Sequence, residues 1–146
     1  MADLNQDIRE LTEQADFIEA FPVMNQLRTD LTEESYLALL SKMRKNGYKL
    51  FALRVDEKII SLIGVILQVN FYNKDHVFIY DFVTDSEYRS KGYGYHLLCY
   101  IEEWAISQNA AYVTLESAMQ RTDAHRFYEE KLSYDKWCFS FRKYIK

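Results

Sequence analysis

Residues 89–94 read Arg-Ser-Lys-Gly-Tyr-Gly, two cations and two glycines within six positions. The chain has four glycines in all, Gly47, Gly64, Gly92 and Gly94, so this pairing marks a special backbone requirement. Glycine lets a backbone approach a phosphate closely and adopt positive φ without strain. Arg89 and Lys91 add positive charge to a chain whose net charge is −4. The chemistry this segment suits is anion binding, and a pyrophosphate fits it best. Two other phosphate loops are excluded by the letters, because neither G-x-x-x-x-G-K-[ST] nor G-x-G-x-x-G occurs.

Such a loop works only if its neighbours hold it. Residues 76–84 before it predict a strand rich in β-branched and aromatic side chains. Residues 94–108 after it predict a helix with Leu97, Leu98, Ile101, Trp104 and Ala105 on one face. A helix N-terminus presents unpaired N–H groups and a partial positive charge, so the loop opens onto an anion site.

The rest of the chain predicts a strand near residues 8–11, then a helix over 15–27 that Pro22 should kink or split. A second helix is expected over 32–45, capped by Thr32, with Glu33 and Glu34 in its first turn and Lys42, Arg44 and Lys45 in its last. Strands follow over 48–55 and 58–71 around a tight turn at Asp56-Glu57. Alternation weakens over 59–67, as in a strand covered on both faces. Beyond the loop come a strand over 112–117, a helix over 122–132 and strand character over 134–145. Helices, a three-strand meander and then β-α-β-α-β predict one α/β domain over residues 1–146, a mixed sheet flanked by helices.

Composition narrows the functional classes. Of 146 residues, 49% are hydrophobic and 27% charged, which is globular. The acidic balance argues against nucleic acid and anionic membrane as partners. No apolar run is long enough to span a bilayer, and the polar, acidic first residues do not resemble a secretory signal. Cys99 and Cys138 have no ligand-like spacing, so neither a disulfide nor a metal is expected, and a cytoplasmic setting fits.

Residues 79–94 resemble motif A of the GNAT family of N-acetyltransferases, [QR]-x-x-G-x-[GA] after the fourth strand. Arg121-Thr122-Asp123-Ala124-His125-Arg126-Phe127-Tyr128-Glu129 is similar to that family's motif B, where A-x-x-F-Y-E is typical. The resemblance implies a GNAT fold, a splayed mixed sheet with acetyl-CoA between the fourth and fifth strands. It implies that backbone groups of Phe82, Val83 and Thr84 pair with the pantetheine arm. It further implies that Arg89, Ser90, Lys91, Gly92, Tyr93 and Gly94 hold the pyrophosphate, and that Tyr128 sits near the thioester sulfur as proton donor. Arg121 stands where Asn is frequent, and either reaches the cofactor's phosphates or is a solvated charge. Ser133-Tyr134 replaces the common Gly-Phe.

The family's strand-four Glu is absent, and Tyr80-Asp81 occupies its place. Asp81 or Glu116 could act as base, each could instead be a structural carboxylate, and solvent can also take the amine's proton. The implied acceptor is a small-molecule or peptide amine, bound by residues 27–36 and 71–73. Asp30, Glu33, Glu34 and Tyr72 would suit a cationic amine. The alternatives are a non-catalytic GNAT-fold module that binds CoA or a regulatory partner, and an unrelated α/β nucleotide binder. The aromatic strand around Trp137–Phe141 leaves a homodimer open.

Overall fold

The computed structural model describes residues 6–117 and 121–145, so residues 1–5, read above for a leader, lie outside the described part. In chain order it forms β1 (Gln6–Leu11), α1 (Gln14–Leu27), α2 (Glu33–Lys45), β2 (Lys49–Val55), β3 (Lys58–Asn70), β4 (Lys74–Thr84), α3 (Tyr93–Ser107), β5 (Tyr112–Leu115) and α4 (Thr122–Arg126). One mixed sheet takes the order β1-β2-β3-β4-β5, with β1 to β4 antiparallel, and the class is α/β as expected. The backbone divides into two compact units, Met1–Thr114 and Leu115–Lys146.

Local chemistry accounts for the clean elements. At α2, Thr32 accepts from the Ser35 N–H at 3.1 Å, and Ser35 Oγ accepts in return from the Thr32 N–H at 3.0 Å. Such a reciprocal cap is worth about 1 kcal/mol. The β2–β3 turn has φ 49° at Asp56 and 71° at Glu57, the two positive values that a twist-matched two-residue hairpin needs. Residues 59–66 of β3 are all buried. One face of the sheet, carrying Leu50, Ala52, Leu62 and Val83, packs on Phe17, Ala20, Val23, Met24, Tyr36 and Leu40 of α1 and α2. By strand alternation Phe51 faces the other way, where its ring lies 5.9 Å from Tyr100 and 5.5 Å from Trp104 of α3.

One expectation is narrowed and two are corrected. Pro22 lies inside α1 without splitting it, one of the two outcomes expected there. The carbonyl it leaves unbonded is that of Ile18, an exposed residue, so water can satisfy it. The helix over 122–132 is α-helical only to Arg126 and widens to a π-type turn over Phe127–Lys131. Residues 134–145 form no strand. Their period-2 pattern is real, but a pattern becomes a strand only where a neighbour completes the ladder.

Candidate functional site

The register of β3 on β4 changes where Gly64 faces Asp81 and Val65 faces Ile79. Tyr80 is therefore the extra residue of a bulge, which bends the strand just before Phe82, Val83 and Thr84. Beyond the bulge the end of β4 is held from several sides. Ser61, fully buried, donates through Oγ to the Val83 carbonyl at 3.1 Å, and its Oγ lies 2.9 Å from Thr84 Oγ1. A serine has one proton, so Thr84 is the donor in the second contact. The Asp85 N–H donates to the Ile60 carbonyl at 2.7 Å, and the Ser86 N–H donates to Gln26 Oε1 at 2.9 Å. Asp85 Oδ1 then caps the short turn Ser86–Tyr88 by accepting from the Glu87 N–H at 3.0 Å.

The cationic loop follows directly. Arg89 Nε donates to the Thr84 carbonyl at 3.1 Å, and Lys91 Nζ lies 5.5 Å from the Tyr88 ring centre. Ser90 has φ 62° and Gly92 φ 86°, so the backbone turns twice through the left-handed region before α3 begins. The first helical bond of α3 runs from the His96 N–H to the Gly92 carbonyl at 3.0 Å. The N–H groups ahead of it are those a helix cannot bond internally. A Cβ on Gly92 would meet nothing within 4 Å, whereas one on Gly94 would lie 3.3 Å from Thr84 Oγ1 and 3.5 Å from Phe82 Cζ. Gly94 thus lets the start of α3 sit against the end of β4, and Gly92 leaves the loop open on its outer side. Arg89, Ser90, Lys91 and Gly92 are exposed, whereas the Tyr93 side chain is buried and can offer only its backbone. This arrangement fits a phosphate group.

Asp81 is buried and its two oxygens are occupied. Oδ2 accepts from the Tyr48 hydroxyl at 2.6 Å, and Oδ1 accepts from Arg28 Nε at 3.0 Å. Burial, with the Asp81 charge and hydrogen bond, pushes the Tyr48 phenol well above its ordinary value. Tyr36, which donates to the Phe17 carbonyl at 2.9 Å, is raised for the same first reason, with Asp81 and Glu33 adding to it. Tyr48 also lines a cleft of about 450 Å³ with Glu10, Phe17, Arg44 and Lys49, which contains none of the residues assigned above to catalysis or to the cofactor.

The remaining candidates belong to the second unit. Glu116 is exposed and follows β5 outside regular structure. Arg121 precedes α4, and its carbonyl accepts from the His125 N–H at 3.1 Å. Tyr128 is buried in the π-type turn, its ring 5.7 Å from that of Phe127 and 6.0 Å from that of Tyr134. Burial raises its phenol above the ordinary value, while the Arg121 charge pulls the other way. Among the described residues no three His, Cys, Asp or Glu side chains gather as metal ligands, and no helix is long and apolar enough to cross a membrane.

Sequence reading missed Arg28, Tyr48 and Ser61. Its one available signal was Gly64, a glycine inside an otherwise apolar strand, which marks a bulge or a close approach.

The family model described as the acetyltransferase (GNAT) family matches residues 7–134. YhdJ of Bacillus subtilis (strain 168), an uncharacterized N-acetyltransferase, is 39% identical over 137 residues, which is 93% of this chain and 96% of that protein. A GNAT family acetyltransferase from Staphylococcus aureus, 27% identical, superposes with a TM-score of 0.77 over 96% of this chain and 98% of its own. The aminoglycoside N-acetyltransferase AAC(6')-Iy, solved in complex with CoA, shares the fold at a TM-score of 0.83 and 14% identity, over 97% of each chain. Because the match runs from β1 through the turn that carries Tyr128, and a relative aligned over nearly its whole length agrees with it, the chain belongs to the GNAT acetyltransferase family.

Proposed function

We propose that the chain is an N-acetyltransferase that moves acetyl from acetyl-CoA to a small-molecule or peptide amine by direct transfer. The observation that carries this reading is the loop from Thr84 to α3, where Gly92 at φ 86° joins a cationic stretch to a helix N-terminus. The match over residues 7–134 supports treating the chain as one domain. CoA in the complex of AAC(6')-Iy supports the choice of anion.

In this reading acetyl-CoA supplies the thioester whose carbonyl carbon receives the amine and whose thiolate leaves. Arg89, Ser90, Lys91 and the backbone of Gly92, Tyr93 and Gly94 hold its pyrophosphate, and Arg121 adds charge to the phosphates. Backbone groups of Phe82, Val83 and Thr84 align the pantetheine arm, and an N–H near Thr84 polarises the carbonyl. Tyr128 donates the proton that the leaving thiolate needs. Its raised phenol keeps that proton in place throughout the neutral range. Asp81 is held by Tyr48 and Arg28, so Glu116 or solvent is the better recipient of the amine's proton. The exposed Asp30, Glu33 and Glu34 favour a cationic acceptor.

The test combines protein, acetyl-CoA and an amine panel, and follows free thiol. Turnover with at least one amine is expected. Calorimetry that detects no CoA binding at tens of micromolar would overturn the phosphate assignment. A second reading, a CoA-binding module without turnover, draws on the fully engaged Asp81, and tight CoA binding with no reactive amine would favour it.

A further inference from the structure

We propose that Arg28 is a positioning residue for acetyl transfer, acting through the bulge of β4; this rests on the acetyltransferase reading above. Arg28 follows the last residue of α1, and its guanidinium reaches across to the sheet. Nε donates to Asp81 Oδ1 at 3.0 Å, while Nη2 lies 3.0 Å from the same oxygen and donates to the Tyr80 carbonyl at 2.8 Å. One planar fork therefore holds both the bulged residue's carbonyl and the carboxylate that follows it.

The opposite side of Asp81 is held by Tyr48, whose ring occupies the space beside Gly64. Gly64 is also the residue that faces Asp81 across the ladder. The bulge is thus pinned from the end of α1, from the residue that precedes β2 and from β3. A neighbouring tie, Gln26 Oε1 to the Ser86 N–H, fastens the same end of α1 beyond the end of β4.

The geometry gives this clamp a specific task. A bulged residue has no ladder partner of its own, so the bend it makes is fixed by contacts from outside the ladder. A shift of that bend would move Phe82, Val83 and Thr84, whose backbone groups are proposed to align the thioester. The pyrophosphate loop follows the tie of the Asp85 N–H to the Ile60 carbonyl, which does not involve Arg28. Loss of Arg28 should therefore damage the chemical step more than CoA binding. Lysine keeps the charge but has no fork, so it should restore only part of the function.

The experiment uses the full chain as wild type, Arg28→Gln, Arg28→Lys and Arg54→Gln. Arg54 pairs with Asp16 and Glu19 of α1 at 3.5 and 3.0 Å, so its removal breaks another tie between α1 and the sheet, away from the bulge. Three quantities are measured: kcat with the best amine, CoA affinity by calorimetry, and amide hydrogen exchange across β4. Arg28→Gln should lower kcat by roughly ten- to a hundredfold, as misplacement of a reacting group does. Its CoA affinity should stay within about threefold, which is about 0.7 kcal/mol of binding free energy. Exchange at residues 82–84 should quicken, as expected of local loosening. Arg28→Lys should fall between Arg28→Gln and wild type, and Arg54→Gln should match wild type.

Unchanged exchange at residues 82–84 in Arg28→Gln would overturn the proposal, as would equal losses in Arg54→Gln or a loss confined to CoA affinity. If the wild-type protein turns over no amine, the acetyltransferase reading fails by itself, and the exchange comparison still decides whether Arg28 sets the backbone of β4.

Discussion

The Tyr48 hydroxyl lies where a side chain on residue 64 would begin. A Cβ built on Gly64 would stand 1.7 Å from Tyr48 Oη and 2.3 Å from Cζ. The same hydroxyl donates to Asp81, the ladder partner of Gly64. Glycine at 64, tyrosine at 48 and aspartate at 81 are thus one requirement met by three residues.

Gly64→Ala should therefore destabilise the fold by about 1–3 kcal/mol, the usual cost of overpacking a tight core. A urea midpoint checks this. Adding Tyr48→Phe should not rescue it, since the ring carbon Cζ would still be too close. Full rescue by the phenylalanine would show that the hydroxyl alone conflicts.

Alkaline pH should weaken the protein through Tyr36 and Tyr48. Both phenols are raised in the folded state, chiefly by burial, above the unfolded value of about 10. Their protonated forms favour the fold, so this contribution is whole below pH about 10 and is lost as pH climbs toward the folded values. Chemical denaturation at stepped pH from 8 to 11.5 should show stability falling at the top of that range. The fall should be shallower in Tyr48→Phe than in wild type.

Gly92→Ala tests the loop. Open space surrounds this position, so the cost is conformational: about 1–2 kcal/mol to hold a side-chain-bearing residue in the left-handed region. CoA affinity measured by calorimetry should drop about tenfold, the equivalent of that energy. An unaffected affinity would place the phosphate elsewhere.

Tyr128→Phe should lower kcat by roughly a hundredfold, the scale of a lost general acid, while CoA affinity stays near that of wild type. Because burial raises this phenol, no loss of activity from its ionisation is expected below pH about 10. An alkaline limb near pH 8 that vanishes in Tyr128→Phe would contradict that environment.

What could be read from sequence was what neighbours in the chain decide. Thr32 caps α2, Asp56 and Glu57 turn the hairpin, and the loop into α3 begins where glycines permit. These outcomes rest on side chains within a few residues of the backbone they satisfy. Arg28 and Asp81 are 53 positions apart, and no local pattern announces their meeting. The same holds for the bulge at Tyr80, which depends on the fit of β3 against β4. Residues 134–145 went the other way. They carry a strong local signal, and the want of a ladder partner decided against it.

The sheet's spatial order repeats its order in the chain. Every strand finds its partner in the one made just before it, so growth of the sheet needs few distant encounters, a feature that speeds folding. During synthesis β1 to β3, with α1 and α2, can assemble before residue 84 leaves the ribosome, since domains form from the N-terminal side onward. β4 then acquires its bend on a surface that already exists. The loop at 89–94 and α3 are laid down next upon that surface, as a casting takes the shape of its mould.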